Sequence, residues 1–123
     1  MPAFYCIDRQ LKLVFSIFGD ILTDSDLQEH VEKLCRDPDF AELIDCSAVT
    51  HFQVSSALIT TLASRQLGSA RSKWAIVAPQ AHIYGMARMF QIRYKESQVE
   101  VFHELGAAQQ WFGIDKNKTI GAS

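Results

Sequence analysis

Leu43-Ile44-Asp45-Cys46-Ser47 and, a few residues on, Val54-Ser55-Ser56-Ala57-Leu58 decide the fold. A short apolar run ends on an acidic residue, and a helical pattern restarts behind two serines. The spacing predicts a buried strand over 43–46, a small loop, and a helix capped by Ser55 or Ser56. In open α/β sheets the carboxyl ends of such strands border the crevice where ligands and partners dock. The loop behind Asp45 and the seryl start of the next helix are therefore expected to lie side by side.

Upstream, Phe4-Tyr5-Cys6-Ile7 reads as a first strand and Asp8-Arg9-Gln10 as a tight turn. Leu11, Leu13, Phe15 and Ile17 recur at a period of two against Lys12 and Ser16, predicting a second strand with the leucine face buried. Gly19-Asp20 is expected to end it. Thr23 is a good N-cap, with Asp24 and Asp26 in the first turn where the helix dipole favours anions. Leu27, Val31, Leu34 and Cys35 form one apolar stripe, opposite Gln28, Glu29, Glu32 and Lys33. Pro38, in Asp37-Pro38-Asp39-Phe40, stops that helix.

Downstream, Leu58, Ile59 and Leu62 point a second helix inward, with an end expected near Gly68. Trp74-Ala75-Ile76-Val77-Ala78 is apolar without alternation, as in a strand covered on both faces. Pro79 closes it. A third helix is predicted from about Ala81 to Tyr94, a fifth strand over Gln98–His103, and a last helix from Glu104, with Gly113 in its left-handed C-terminal position. This order is that of an α/β fold: a mostly parallel sheet of about five strands, an N-terminal hairpin and about four helices. Residues 1–113 are expected to form a single domain and 114–123 a flexible tail.

With 123 residues, 48% of them hydrophobic, the chain suffices for one core and no second. Twelve basic against fourteen acidic residues leave a net charge of -2, so no field is available to hold a polyanion and no nucleic-acid partner is expected. Cys6, Cys35 and Cys46 are odd in number and lack metal-type spacing, which fits reduced thiols in a cytoplasmic protein. The N-terminus alternates apolar with polar residues, so neither a signal peptide nor a membrane span is expected.

His30, His51, His82 and His103 are scattered, with no pair four apart, and surface positions are expected for them. No metal set and no cofactor motif is legible. His51 and His82 follow neighbouring strands; with Phe52, Tyr84 and Met86 they make a candidate pocket between the second and third helices. Asp45 and Ser47 are either binding groups or the acceptors and donors of a local turn. Lacking a readable acid–base pair or phosphate loop, the chain is not expected to be an enzyme.

The third helix carries two stripes. Ile83, Ala87, Phe90 and Tyr94 make the core face. Gly85, Met89 and Ile92, flanked by Arg88 and Arg93, make a second that is apolar where a surface helix should be polar. That face is a candidate contact surface for a homodimer or another protein, unless the C-terminal tail covers it.

The run Asp45-Cys46-Ser47-Ala48-Val49 to Ser55-Ser56 resembles STAS domains of the anti-sigma-factor antagonist type. More broadly, Phe4 to Gly113 resembles the SpoIIAA-like family of small bacterial domains, grouped with CRAL-TRIO lipid-binding folds. The likeness is carried by Asp37-Pro38-Asp39-Phe40, Leu43-Ile44-Asp45, Ala75-Ile76-Val77-Ala78-Pro79, Tyr84-Gly85-Met86-Ala87-Arg88-Met89-Phe90, and Val101-Phe102 with Ala108 and Trp111. In the STAS antagonists a partner kinase phosphorylates the serine that matches Ser55. Here Val54 stands where the family has Asp, Ala57 where it has Gly, and the loop is one residue longer. The resemblance implies a non-enzymatic regulatory module working through protein contact at Asp45, Ser47, Ser55 and Ser56. The CRAL-TRIO grouping implies an alternative, a carrier or sensor of a small apolar or lipid-like ligand.

Overall fold

The computed structural model describes residues 3–34, 40–65, 73–95 and 98–113. Along them run β1 (Ala3–Asp8), β2 (Leu13–Thr23), α1 (Asp24–Leu34), β3 (Ala41–Gln53), α2 (Ser56–Ala63), β4 (Lys73–Val77), α3 (Ala81–Arg93), β5 (Gln98–Phe102) and α4 (Leu105–Phe112). The strands form one sheet in the order β1-β2-β3-β4-β5. β1 and β2 are an antiparallel hairpin, and β2 through β5 run parallel. The α/β architecture expected from the sequence is the one observed.

Strand order explains the layering. Parallel neighbours joined in sequence by crossovers of one hand place every connecting helix on the same face. Accordingly α1, α2 and α3 share a core with one side of the sheet, through Val31, Leu58, Ile59, Leu62, Ile83, Ala87 and Phe90 against Phe18, Ile44, Ile76 and Val101. α4 follows the last strand and is bound by no crossover. It takes the opposite face, setting Ala108 against Leu13, Leu43, Ala75 and Val77. β4 lies between the two layers, and Trp74 through Val77 are all buried.

The caps follow the local chemistry. The Thr23 hydroxyl accepts from the Asp26 N–H at 3.3 Å, and the Asp26 carboxylate accepts from Thr23 N–H at 3.1 Å, a reciprocal box at the start of α1. Of the two serines left open by the sequence, Ser55 is the N-cap of α2, its Oγ accepting from Leu58 N–H at 3.1 Å. Gly113 ends α4 at φ 74°, a left-handed conformation that glycine adopts without a Cβ clash. The expected end of α2 near Gly68, the Pro38 stop, Cys35 and the tail 114–123 lie outside the described residues.

Three expectations are corrected. Leu13, Phe15 and Ile17 do share a face, but it is the side of α4, which packs on β4 and β5; Phe15 and Ile17 are only half-buried. Val14, Ser16 and Phe18 point beneath the three helices and are fully buried. Leu11 is exposed in the hairpin turn. Gly19-Asp20 does not end β2: Asp20 adopts φ 56°, which Asp tolerates better than most residues, and pairing with β3 resumes through Thr23 after two register shifts.

The third correction bears on the site. β3 does not stop at Cys46 but continues to Gln53, paired with β2 throughout. Beyond Asp45 it has no partner on the β4 side. The intervening β2 residues 17–23 span on the order of 20 Å at strand rise. Asp45 and Ser55 therefore stand at opposite ends of an extended ribbon rather than side by side.

Candidate functional site

Where β4 ends, the Gln80 side chain replaces it. Its Nε2 donates toward the carbonyls of Cys46, Ser47 and Val49 at 3.3, 3.3 and 3.0 Å, so the freed edge of β3 is tied to the start of α3. Asp45 Oδ1 accepts from the Ser47 N–H at 2.9 Å and from the Ser47 hydroxyl. These are bonds across a bulge, the turn role that Asp and Ser commonly fill. Asp45 and Ser47 thus make the local turn bonds that one of the two alternatives describes.

Ser55 is built into a second contact that the sequence did not signal. Its N–H and hydroxyl donate to the two carboxylate oxygens of Asp24, at 2.7 and 2.8 Å. The first residue of α1 thus clamps the cap of α2 across 31 positions of chain, a separation at which no local pattern could announce it. Ser56 is exposed, and its carbonyl accepts from the Thr60 hydroxyl inside α2.

A concave feature lies between the sheet and its three-helix layer. A cavity of about 100 Å³ opens there, walled by Phe18, Ile44, Phe52, Ile76, Met86 and Phe90 among others. Alternation along the strands aims Val14, Glu42, Ile44, Trp74 and Ile76 into this space, while α1, α2 and α3 contribute Leu27, His30, Ile59, Leu62, Ile83 and Ala87. Of the predicted pocket residues, Phe52 and Met86 line it. His51, His82 and Tyr84 do not. His51 is exposed beside Thr50, and Tyr84 stacks on His103 with ring centroids 4.0 Å apart. His82 is exposed and makes a T-shaped contact with Phe52, ring centroids 5.5 Å apart. The reason is the continued strand: adjacent residues of β3 face opposite ways, so Phe52 points in and His51 out.

One polar group interrupts this wall. Glu42 Oε2 accepts from the Ser16 hydroxyl at 2.7 Å and meets His30 Nε2 at 2.8 Å. All three residues are buried, His30 being 4% exposed. The expected surface placement holds for His51, His82 and His103 but not for His30, whose ring also packs edge-on against Phe18 at 4.8 Å. Its burial follows from spacing. Leu27, His30 and Val31 occupy i, i+3 and i+4 of α1, so the histidine belongs to the inward stripe. Glu42, set in the apolar run Ala41 to Ile44, and Ser16, between Val14 and Phe18 at strand alternation, carried similar signals.

Two buried polar atoms lack a partner among the described residues, the Trp74 indole N–H and Gln80 Oε1. Burial, then the charges of Asp45 and Glu42, pushes the Cys46 thiol in the chamber wall up to about 12. Among the described residues no three His, Cys, Asp or Glu converge as a metal-ligand set. No helix of the described residues is long and apolar enough to cross a membrane.

The outer face of α3 departs from its sequence reading at Met89. Gly85, Arg88, Ile92 and Arg93 are exposed, Ile92 at 60%, whereas Met89 packs half-buried against the core. A Cβ built on Gly85 meets nothing within 4 Å, so no part of the described chain approaches that backbone. A scan against protein-family models finds no match to this chain, and a search of curated proteins likewise finds none.

Proposed function

We propose that this protein is a non-enzymatic binding domain that holds a small apolar molecule in the chamber between its sheet and α1, α2 and α3. The observation that carries the reading is the chamber itself: about 100 Å³ of space walled by aromatic and aliphatic side chains. Close-packed interiors rarely leave such space, and apolar cavities of about this size admit small ring compounds. Binding rather than catalysis is supported by the connectivity of the buried polar group. Ser16 and His30 both bond to the same oxygen of Glu42, so the Ser16 hydroxyl is engaged with the carboxylate and does not form a Ser–His pair with His30. The reading takes up the resemblance to SpoIIAA-like domains and the small-ligand role that its CRAL-TRIO grouping implies.

The test is a titration of methyl-labelled protein with toluene, followed by nuclear magnetic resonance. Saturable shifts at Val31, Leu62 and Ile83, with a dissociation constant on the order of 0.1–1 mM for a ligand of this size, are expected. Shifts confined to Ile21 and Ile92, the exposed isoleucines, would refute the chamber as the site.

A second reading is favoured by the Asp24–Ser55 clamp. A phosphate on Ser55 would stand against the Asp24 carboxylate while occupying the N-terminus of α2, which attracts anions. The repulsion would part the starts of α1 and α2 and alter the surface offered to a protein partner, including a second copy of this chain. A Ser55→Glu variant with unchanged amide exchange at Thr23–Leu27 and unchanged self-association would dismiss this switch.

A further inference from the structure

Ser16 and His30 occupy only one oxygen of the Glu42 carboxylate. Oε2 takes both contacts, whereas Oε1 has no hydrogen-bond partner among the described residues. The side chain is 6% exposed and lines the chamber. Cross-strand register fixes it there, with Val14 on one side and Trp74 on the other. An acceptor oxygen set beside apolar walls with no protein donor is completed by an incoming donor.

We propose that the chamber's ligand is a small alcohol, a ring or chain of about six carbons bearing one hydroxyl group, and that the hydroxyl donates to Glu42 Oε1. This rests on the reading that the chamber binds a ligand at all. Donor count selects the hydroxyl. It brings one O–H to one free acceptor, whereas an ammonium brings three N–H groups and would leave two against hydrocarbon. A carboxylate or ether brings only acceptors and leaves Oε1 unpaired. Volume selects the body: a dry engineered cavity of ~150 Å³ takes benzene, and about 100 Å³ suits a single ring at most. Phe18, Phe52, Trp74 and Phe90 in the wall offer faces and edges to such a ring.

The experiment uses the intact protein and three probes of nearly equal size: phenol, toluene and anisole. Isothermal titration is expected to give phenol the tightest binding, by about tenfold or more over both others, the gain typical of a bond to a charged acceptor. A wholly apolar chamber gives the opposite order, because phenol surrenders its hydrogen bonds to water on entry. Toluene equal to or tighter than phenol overturns the alcohol assignment and leaves the ligand chamber standing. No binding by any of the three overturns both. In Glu42→Gln, with folding monitored by its melting transition, the amide turns an N–H₂ toward the ligand once its carbonyl serves Ser16 and His30. The preference is then expected to shift from phenol toward anisole. A phenol preference of unchanged size in that variant overturns the role of Glu42, and the wild-type probe series decides the matter if the variant fails to fold.

Discussion

Cys46 shows how much chemistry its surroundings impose on one side chain. The thiol is buried first, and the carboxylates of Asp45 and Glu42 then oppose its ionisation, so that it titrates at about 12. Nucleophilic cysteines need the reverse shift. The folded value lies above that of the unfolded chain. The associated stability is therefore fully present below pH ~8.5, the ordinary thiol value, and is lost as pH rises through the folded one. Site-resolved alkylation at neutral pH should leave Cys46 unmodified in the native protein and label it in urea. The unfolding midpoint of the wild type should fall between pH 9 and 12 more steeply than that of Cys46→Ala. Native-state alkylation of Cys46 at neutral pH would contradict its burial. The buried network beside it was readable in part. His30 sits at i+3 of a stripe that the sequence displays, yet a histidine is ordinarily assigned to the surface, and that habit outweighed the spacing. The Asp24 carboxylate on Ser55 had no local signal.

Among the elements, those with strong periodicity or firm punctuation matched the sequence: α1 with its Thr23–Asp26 box, the non-alternating β4, and α4 closing on Gly113. β3 did not. Past Cys46 its residues turn polar, Ser47, Thr50 and His51 being exposed, and two register shifts break the alternation that would have revealed a strand. Long-range partners hold it there: β2 on one edge and the Gln80 amide on the other. α3 adds a testable point. Gly85 lies in a helix interior, where glycine costs roughly 1 kcal/mol relative to alanine, and a Cβ at that position meets nothing within 4 Å. Gly85→Ala should therefore raise stability by about 0.5–1 kcal/mol in urea denaturation. A loss of stability would mean that another surface packs on that backbone, as the contact face expected from the sequence requires.

Taken together, the elements make an asymmetric sandwich whose asymmetry creates the chamber. Three helices lie over one face of the sheet and a single short helix over the other. The crowded layer holds the large side chains Phe18, Trp74 and Phe90, and the small Ala87 of α3 borders the cavity. The fold class was legible because element order alone dictates it; the position of the chamber was not, since it depends on how three helices settle against five strands. Ala87→Leu inserts three further carbons into that space. The decisive measurement is the affinity of toluene for this variant beside the wild type, with the melting temperature recorded on both. A chamber that serves as the binding site predicts at least a tenfold loss of toluene affinity with the melting temperature unchanged or raised. Undiminished toluene binding in a folded Ala87→Leu protein would contradict it.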